Sequence, residues 1–207
     1  MQEQHLLERI YSGKRALLKR QILAEALHCF LEQGIETTTI EQICERSGAS
    51  VGAIYHHFKH KEGIVSALYL SALQDQSQQR NQALKDVHGL QQGITVLIQH
   101  YILWTVQHPQ FARFLFSVRS SFSPLSHAKI DEQNQQRNEA LFTWLSQQSD
   151  ATALGHIPYE LLFSLVIGPT ENYCRAWLSG RVQSSPLHYQ EQLARSAWRS
   201  ITQADAI

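Results

Sequence analysis

The sequence predicts an all-α protein, and three observations carry that prediction. Apolar residues recur at three- and four-residue spacing through most of the 207 residues. No stretch alternates apolar and polar residues convincingly enough to read as a strand. Glycine, proline and small polar clusters fall where one helical pattern stops and the next begins. Length and pattern together suit a small N-terminal module, residues 1–66, joined to a larger helical bundle, residues 67–207.

Composition narrows the class of protein. An apolar content of 43% is enough for a real core. No 18-residue apolar run exists, so no membrane span is expected. The opening stretch MQEQHLLERIYSGKR reads as an arm without the apolar centre of a signal peptide, which points to the cytoplasm. Cys29, Cys44 and Cys174 are odd in number and fall on helical patterns, the expectation for reduced, mostly buried thiols. A redox role for Cys29 and Cys44 is the sharper alternative.

Residues 37–62, TTTIEQICERSGASVGAIYHHFKHKE, read as two short helices joined by a tight turn. Thr39 is placed as an N-cap with Gln42 three residues on, a capping box that satisfies two orphan backbone donors. Gly48 ends the first helix, because glycine takes the left-handed conformation without a Cβ penalty. Ser50 caps the second helix. Ile54 and Phe58 then share a buried face, while Val51, Gly52, Tyr55 and His56 point outward. That is the layout of a helix-turn-helix, whose reading helix can enter a major groove roughly 12 Å wide. Tyr55 has a core reading as well, which would require a buried partner for its hydroxyl.

The run TTTIEQICERSGASVGAIYHHFKHKEGI resembles the DNA-binding signature of TetR-type bacterial transcription regulators. The preceding ILAEALHCFLEQGIE is similar to their first helix, with Ile22, Ala26 and Phe30 packing beneath the other two. The resemblance covers roughly residues 20–70. It implies phosphate-positioning roles for Thr39, Ser50, Tyr55, His57 and Lys61, and places Val51, Gly52 and His56 nearest the base edges. It also implies an all-helical C-terminal domain, a homodimer, and repression of a palindromic operator that a small effector relieves.

Charge supports a nucleic-acid partner independently. The chain as a whole is balanced, with 18 Lys and Arg against 18 Asp and Glu. Yet no acid lies between Glu45 and Glu62, where Arg46, Lys59 and Lys61 stand with three histidines. A second acid-free patch, from Ile10 to Ala24, carries Lys14, Arg15, Lys19 and Arg20. Such groups position a protein on phosphates, while base contacts choose the sequence. With Val51, Gly52 and Ala53 at the helix tip, thymine methyls, close backbone approach and DNA shape are expected to share the readout. His56 and His60 stand four apart, as metal ligands can, but no carboxylate or cysteine joins them in the pattern, so no metal is expected.

Beyond Lys61 a stripe of Ile64, Val65, Leu68, Ala72 and Leu73 predicts a connecting helix to about Arg80. Gly89 and Gly93 bracket the next start, and ITVLIQHYILWTV is apolar almost all round, as befits the middle of a bundle. Pro109 begins a helix with Phe111, Phe114, Leu115, Val118 and Phe122 on one face, and Pro124 breaks it. A polar-sided helix then leads to Ala140, Leu141, Trp144 and Leu145. DATALGHIP is a loop by composition, and two helices close the chain. Those two are the expected dimer surface, through Leu162, Leu165, Val166, Trp177, Leu193, Ala197 and Trp198. Packing within the subunit competes for the same stripes.

Aromatics with polar tips in the bundle suggest a small-molecule pocket: Tyr101, Trp104, His108, Phe111, Phe114, Trp144, Phe163 and Tyr173. Gly168-Pro169 interrupts a helix there, leaving a carbonyl one turn earlier to find another partner. Glu171 and Asn172 follow, the first a carboxylate that could pair with a cationic ligand, or with Arg113 or Arg119 in the resting state. Residues 87–130 contain no acid but Arg113, Arg119, Lys129 and four histidines, which favours a neutral or anionic apolar effector. An enzyme would need a nucleophile-base pair, a phosphate-cradling loop or a cofactor motif, none of which the sequence offers. The remaining alternative is a ligand-independent architectural or nucleoid DNA-binding dimer, with the same head and a filled core.

Overall fold

The computed structural model describes residues 2–118, 136, 138–154 and 157–202. They form an all-α chain, with no strand among the described residues. The helices are α1 Gln2–Ile10, α2 Leu17–Gln33, α3 Ile40–Ser47, α4 Val51–Phe58, α5 Lys61–Leu84, α6 Leu90–Gln107 and α7 Pro109–Val118. They continue with α8 (138–146), α9 Tyr159–Val166, α10 Gly168–Leu178 and α11 Gln190–Thr202. No described helix is long and apolar enough to cross a membrane. The features read at Arg119, Phe122, Pro124 and Lys129 lie outside the described residues.

Two compact units emerge. The first joins Met1–Asp75 to the segment that begins at His108 and contains α7. Its core is built on α2, where Ile22, Leu23, Ala26, Leu27 and Phe30 are buried along one side. Ile43, Ile54, Phe58, Ile64 and Leu68 close over it from α3, α4 and α5. From α7, Phe114 stacks on Phe30 with ring centroids 6.1 Å apart.

The N-terminal arm is a helix rather than a loose strand of chain. Leu6 and Leu7 are wholly buried, worth about 1.5–3 kcal/mol each if fully transferred from water. Arg9 forks onto Asp75 of α5, at 2.6 and 3.0 Å. Asp75 is only 1% exposed, so the guanidinium is what makes a carboxylate tolerable there. Arg20 then holds the turn between α1 and α2 by donating to the carbonyls of Tyr11 and Gly13. The signal was present in Leu6, Leu7 and Ile10 at helical spacing, but the run was too short and too polar to stand out.

The second unit comprises Gln76–Gln107 and the chain from α8 onward. Here α6 is central, with α11 lying along it and along α9. Ile94, Ile98, Ile102, Trp104, Leu162, Val166, Ala194, Ala197 and Ile201 are buried. Gly93 makes room for a side chain: a Cβ there would sit 1.8 Å from the edge of the Trp144 indole. The break between α9 and α10 falls at Ile167, just before Gly168-Pro169. Pro169 has no N–H for the Leu165 carbonyl, and the one hydroxyl proton of Ser200 of α11 lies between that carbonyl at 3.4 Å and Ala197 O at 2.8 Å. The acceptor read in the sequence thus has at most a shared, long bond.

Candidate nucleic-acid interface

The local structure of α3 and α4 follows from their termini. Thr39 caps α3 by accepting from Gln42 N at 3.3 Å, and the Gln42 side chain accepts from Thr39 N at 2.8 Å, completing the capping box. Gly48 takes the left-handed conformation at φ 68° and turns the chain. Ser50 caps α4 by accepting from Ala53 N at 3.2 Å. Both start signals were therefore legible from residue type alone.

One face of α4 is spent on the core through Ile54 and Phe58. The other is free: Val51 is 45% and Tyr55 52% exposed, large apolar surfaces with nothing over them, and Gly52, His56 and His57 are exposed beside them. The His56 and His57 rings meet edge-on at 5.2 Å. Lys19 of α2 reaches the same corner, its Nζ 4.0 Å from the Tyr11 ring centroid and 5.8 Å from that of Phe58. Partial desolvation lowers the pKa of Lys19. Desolvation, then His56 and then Lys19 hold the imidazole of His57 below its ordinary value. The two basic patches seen in the sequence are thus brought together in space, a proximity that no spacing rule would have given.

Not every cation is available. Arg46 is committed to Glu25 and Glu32 of α2. Lys61, for which the resemblance implied a phosphate role, is engaged inside the protein. Its Nζ donates to the carbonyls of Ile35 at 2.7 Å, Glu36 at 3.1 Å and Thr38 at 2.9 Å. An ammonium has three donors, and all three are used inside the protein. Lys14, Arg15 and Lys59 remain exposed. Lys59 does so as the only non-glycine residue with positive φ among those described, at 66°. Burial pushes the Cys29 and Cys44 thiols up, away from the thiolate form that a redox role would use.

The residues proposed for an effector do not form one set. His108 and Phe114 belong to the first unit, where Phe114 stacks in the core and His108 Nε2 lies 3.4 Å from Arg9 Nη2. α7 is aromatic because it covers α2, which the sequence could not distinguish from a pocket wall. Tyr101, Trp104, Trp144, Phe163, Glu171 and Tyr173 belong to the second unit, and Arg119 lies outside the described residues. Tyr101 donates to Glu171 Oε2 at 3.3 Å. Burial first, and the Glu171 charge second, push its pKa well up. Glu171 has Arg175 as an ion partner at 3.0 Å, one helical turn on, and Arg119, read as another partner, lies outside the described residues. Thr170 is buried with its hydroxyl unpartnered. Trp104 is fully buried, and Trp144 donates to the Val87 carbonyl at 3.3 Å beside a surface cavity of about 340 Å³. Phe163 meets Phe142 edge-on, and Tyr173 donates to the Ser184 carbonyl.

Of the expected dimer residues, Leu162, Val166 and Ala197 are 4, 4 and 2% exposed in the single chain. They are therefore core within the subunit and cannot line a surface. Leu165, Trp177, Leu193 and Trp198 are half-buried. Leu161, one step round α9, is 47% exposed, whereas the stripe reading had put its neighbour Leu162 on the surface.

A three-helix head on α2, with α3 and α4 meeting at a glycine turn and an outward face left bare, defines a helix-turn-helix DNA-binding module. Residues 22–68 match the family described as bacterial regulatory proteins, tetR family. The HTH-type transcriptional regulator BetI of Escherichia coli (strain K12 / DH10B) is 35% identical over 81 residues, 39% of this chain and 40% of that protein. The chain thus aligns with about 40% of the length of the curated relatives it matches. A TetR family transcription regulator from Marinobacter aquaeolei VT8 superposes with a TM-score of 0.75 at 17% identity, covering 89% of this chain and 95% of that one. The regulator FadR from Bacillus subtilis, in complex with stearoyl-CoA, gives 0.66 at 16% identity over 89% and 98%. These two share the fold.

Proposed function

We propose that the protein is a ligand-responsive transcriptional regulator that binds a palindromic operator as a homodimer in the cytoplasm and represses until a small apolar effector releases it. The observation that carries this is the bare outer face of α4, beside a helix start that Ser50 caps at Ala53 N. Val51 and Gly52 would approach base edges. Thr39, Ser50, Tyr55, His56 and His57, with Lys14, Arg15, Lys19 and Lys59, would meet sugar and phosphate. A second copy related by a two-fold axis would contact Leu161, Leu165, Trp177, Leu193 and Trp198, and would place two heads at half-site spacing. The effector would be sensed in the second unit, among Tyr101, Phe163, Glu171 and Tyr173.

Selection of bound duplexes from a random pool tests the reading. A palindromic consensus is expected, with binding weakened by Tyr55→Ala or His57→Ala. A pool that yields no enrichment, or variants that bind as the parent does, would overturn it.

A further inference from the structure

Resting on operator binding as the protein's function, the geometry points to Lys61 as a positioning residue that fixes the reading head from inside rather than a phosphate contact. The turn between α2 and α3 presents the carbonyls of Ile35, Glu36 and Thr38, which no helix satisfies, and the Lys61 ammonium gathers all three at 2.7–3.1 Å. Thr38 is 1% exposed, and its hydroxyl donates to Gly34 O at 2.7 Å, so this turn is built rather than slack. The next residue, Thr39, is the N-cap of α3. Wherever Lys61 holds the turn, it also sets where α3 begins.

Lys61 is the first residue of α5, and the same helical turn is locked from a second side. A Cβ at Gly63 would lie 1.9 Å from the Phe58 carbonyl oxygen, so only glycine lets α5 approach the last turn of α4 this closely. Gly63 N also donates to His60 O at 3.0 Å and approaches His60 Nδ1 at 3.1 Å. The start of α5 is therefore fastened to the end of α4 by backbone contact and to the start of α3 by Lys61. Any displacement of that helical turn is transmitted to both helices of the head at once. To reach a phosphate, Lys61 would have to release carbonyls for which the described residues supply no other donor. Lys59, two residues earlier and exposed, is the cation of this corner that is free to meet DNA.

Lysine acylation of the wild-type protein, mapped by peptide mass, separates the roles without a variant. With acetic anhydride, Lys61 is expected to react at least roughly ten times more slowly than Lys59 in the free protein, and at an unchanged rate when a selected duplex is added. Lys61 reacting as fast as Lys59 when free, and protected only by the duplex, would overturn the assignment. Lys61→Met then gives a second readout. Operator affinity is expected to fall about ten-fold at every salt concentration with the slope of log K against log salt kept, and amide exchange at residues 35–39 to quicken. Lys61→Arg should restore part of the affinity. A slope reduced by about 1.8, which is about 0.9 for one phosphate contact in each of two subunits, with exchange at 35–39 unchanged, would overturn it. If Lys61→Met fails to fold, the acylation rates decide. If the wild-type protein selects no duplex, the operator reading fails, while the Lys61 to Lys59 ratio in free protein still tests the engagement of Lys61.

Discussion

The outer face of α4 and the facing sides of α6 and α10 are both rich in polar and aromatic residues, but they differ in what those residues already hold. On α4, Tyr55, His56 and His57 lie exposed while Ser50 caps the helix start at Ala53 N. Between α6 and α10, Tyr101, Glu171 and Arg175 are bonded to one another, and the Thr105 hydroxyl returns to its own helix at Tyr101 O. A rigid backbone with idle side chains suits a surface that meets a partner of fixed shape. A linked polar network suits a site where a ligand must exchange one set of partners for another.

Two glycines carry the same contrast and its largest expected effect. Gly63→Ala drives a Cβ to within 1.9 Å of a backbone carbonyl, whereas Gly93→Ala meets an indole at 1.8 Å. A carbonyl inside a helix end cannot step aside, but Trp144 can rotate and give up its bond to Val87. Gly63→Ala is expected to cost about 3 kcal/mol, near the upper end of overpacking penalties. Gly93→Ala is expected to cost about 1 kcal/mol, because alanine also returns roughly 1 kcal/mol of helix propensity. Thermal melts should show drops of roughly 6–12 °C and 2–4 °C respectively. Equal drops would erase the distinction between a bolted head and an adjustable bundle.

Tyr55→Ala should act on binding alone. More than half exposed, Tyr55 contributes little to the core, so the melting temperature should hold while affinity for a selected duplex falls about ten-fold, or 1.4 kcal/mol. Fluorescence anisotropy over a salt series checks both affinity and slope. A melting drop of the Gly63→Ala kind would instead make Tyr55 a core residue.

The histidine pair predicts a smaller effect whose sign reverses between folding and binding. The pKa of His57 is lowered in the folded chain, so as pH falls through the imidazole range the unfolded chain takes up its proton first, and this group's contribution to stability declines. Against DNA the balance inverts. Phosphates favour the imidazolium, so operator affinity should rise a few-fold between about pH 7.5 and pH 6. The charged groups acting on His57 are His56 from its own helix and Lys19 from α2. His60 stands with Glu62 at the start of α5, while Arg46 of α3 is held by Glu25 and Glu32. His57→Gln should flatten the affinity profile; a profile as steep as the parent's would assign the proton to another group.

Much of the head was legible because its determinants are local. Thr39 with Gln42, Gly48 and Ser50 each act within four residues, and the Ile54 and Phe58 spacing follows from one helix. What was not legible depends on contacts across the chain. Lys61 looks like any basic residue beside a reading helix until the carbonyls some 25 residues earlier are placed around it. The aromatics of α7 read as pocket lining until Phe114 is seen on Phe30. Leu162, Val166 and Ala197 carry the same periodicity whether they face a neighbouring helix or a second subunit. Periodicity reports that a face is buried, not what buries it.

Glu171→Gln probes the linked network between α6 and α10 and should change stability least. The Glu171–Arg175 pair is one helical turn apart, with side chains 23 and 36% exposed, a geometry worth about 0–1 kcal/mol. The glutamine keeps an acceptor for the Tyr101 hydroxyl and removes the charge that, after burial, raises its pKa. Spectrophotometric titration should therefore find Tyr101 ionising at lower pH in the variant, still above an ordinary tyrosine because burial remains. Without effector, duplex affinity should match the parent's, since no group of the head is touched. Altered release by an effector, with unaltered binding in its absence, would place Glu171 in the sensing site. Unaltered release would leave the carboxylate as a structural tie between α6 and α10.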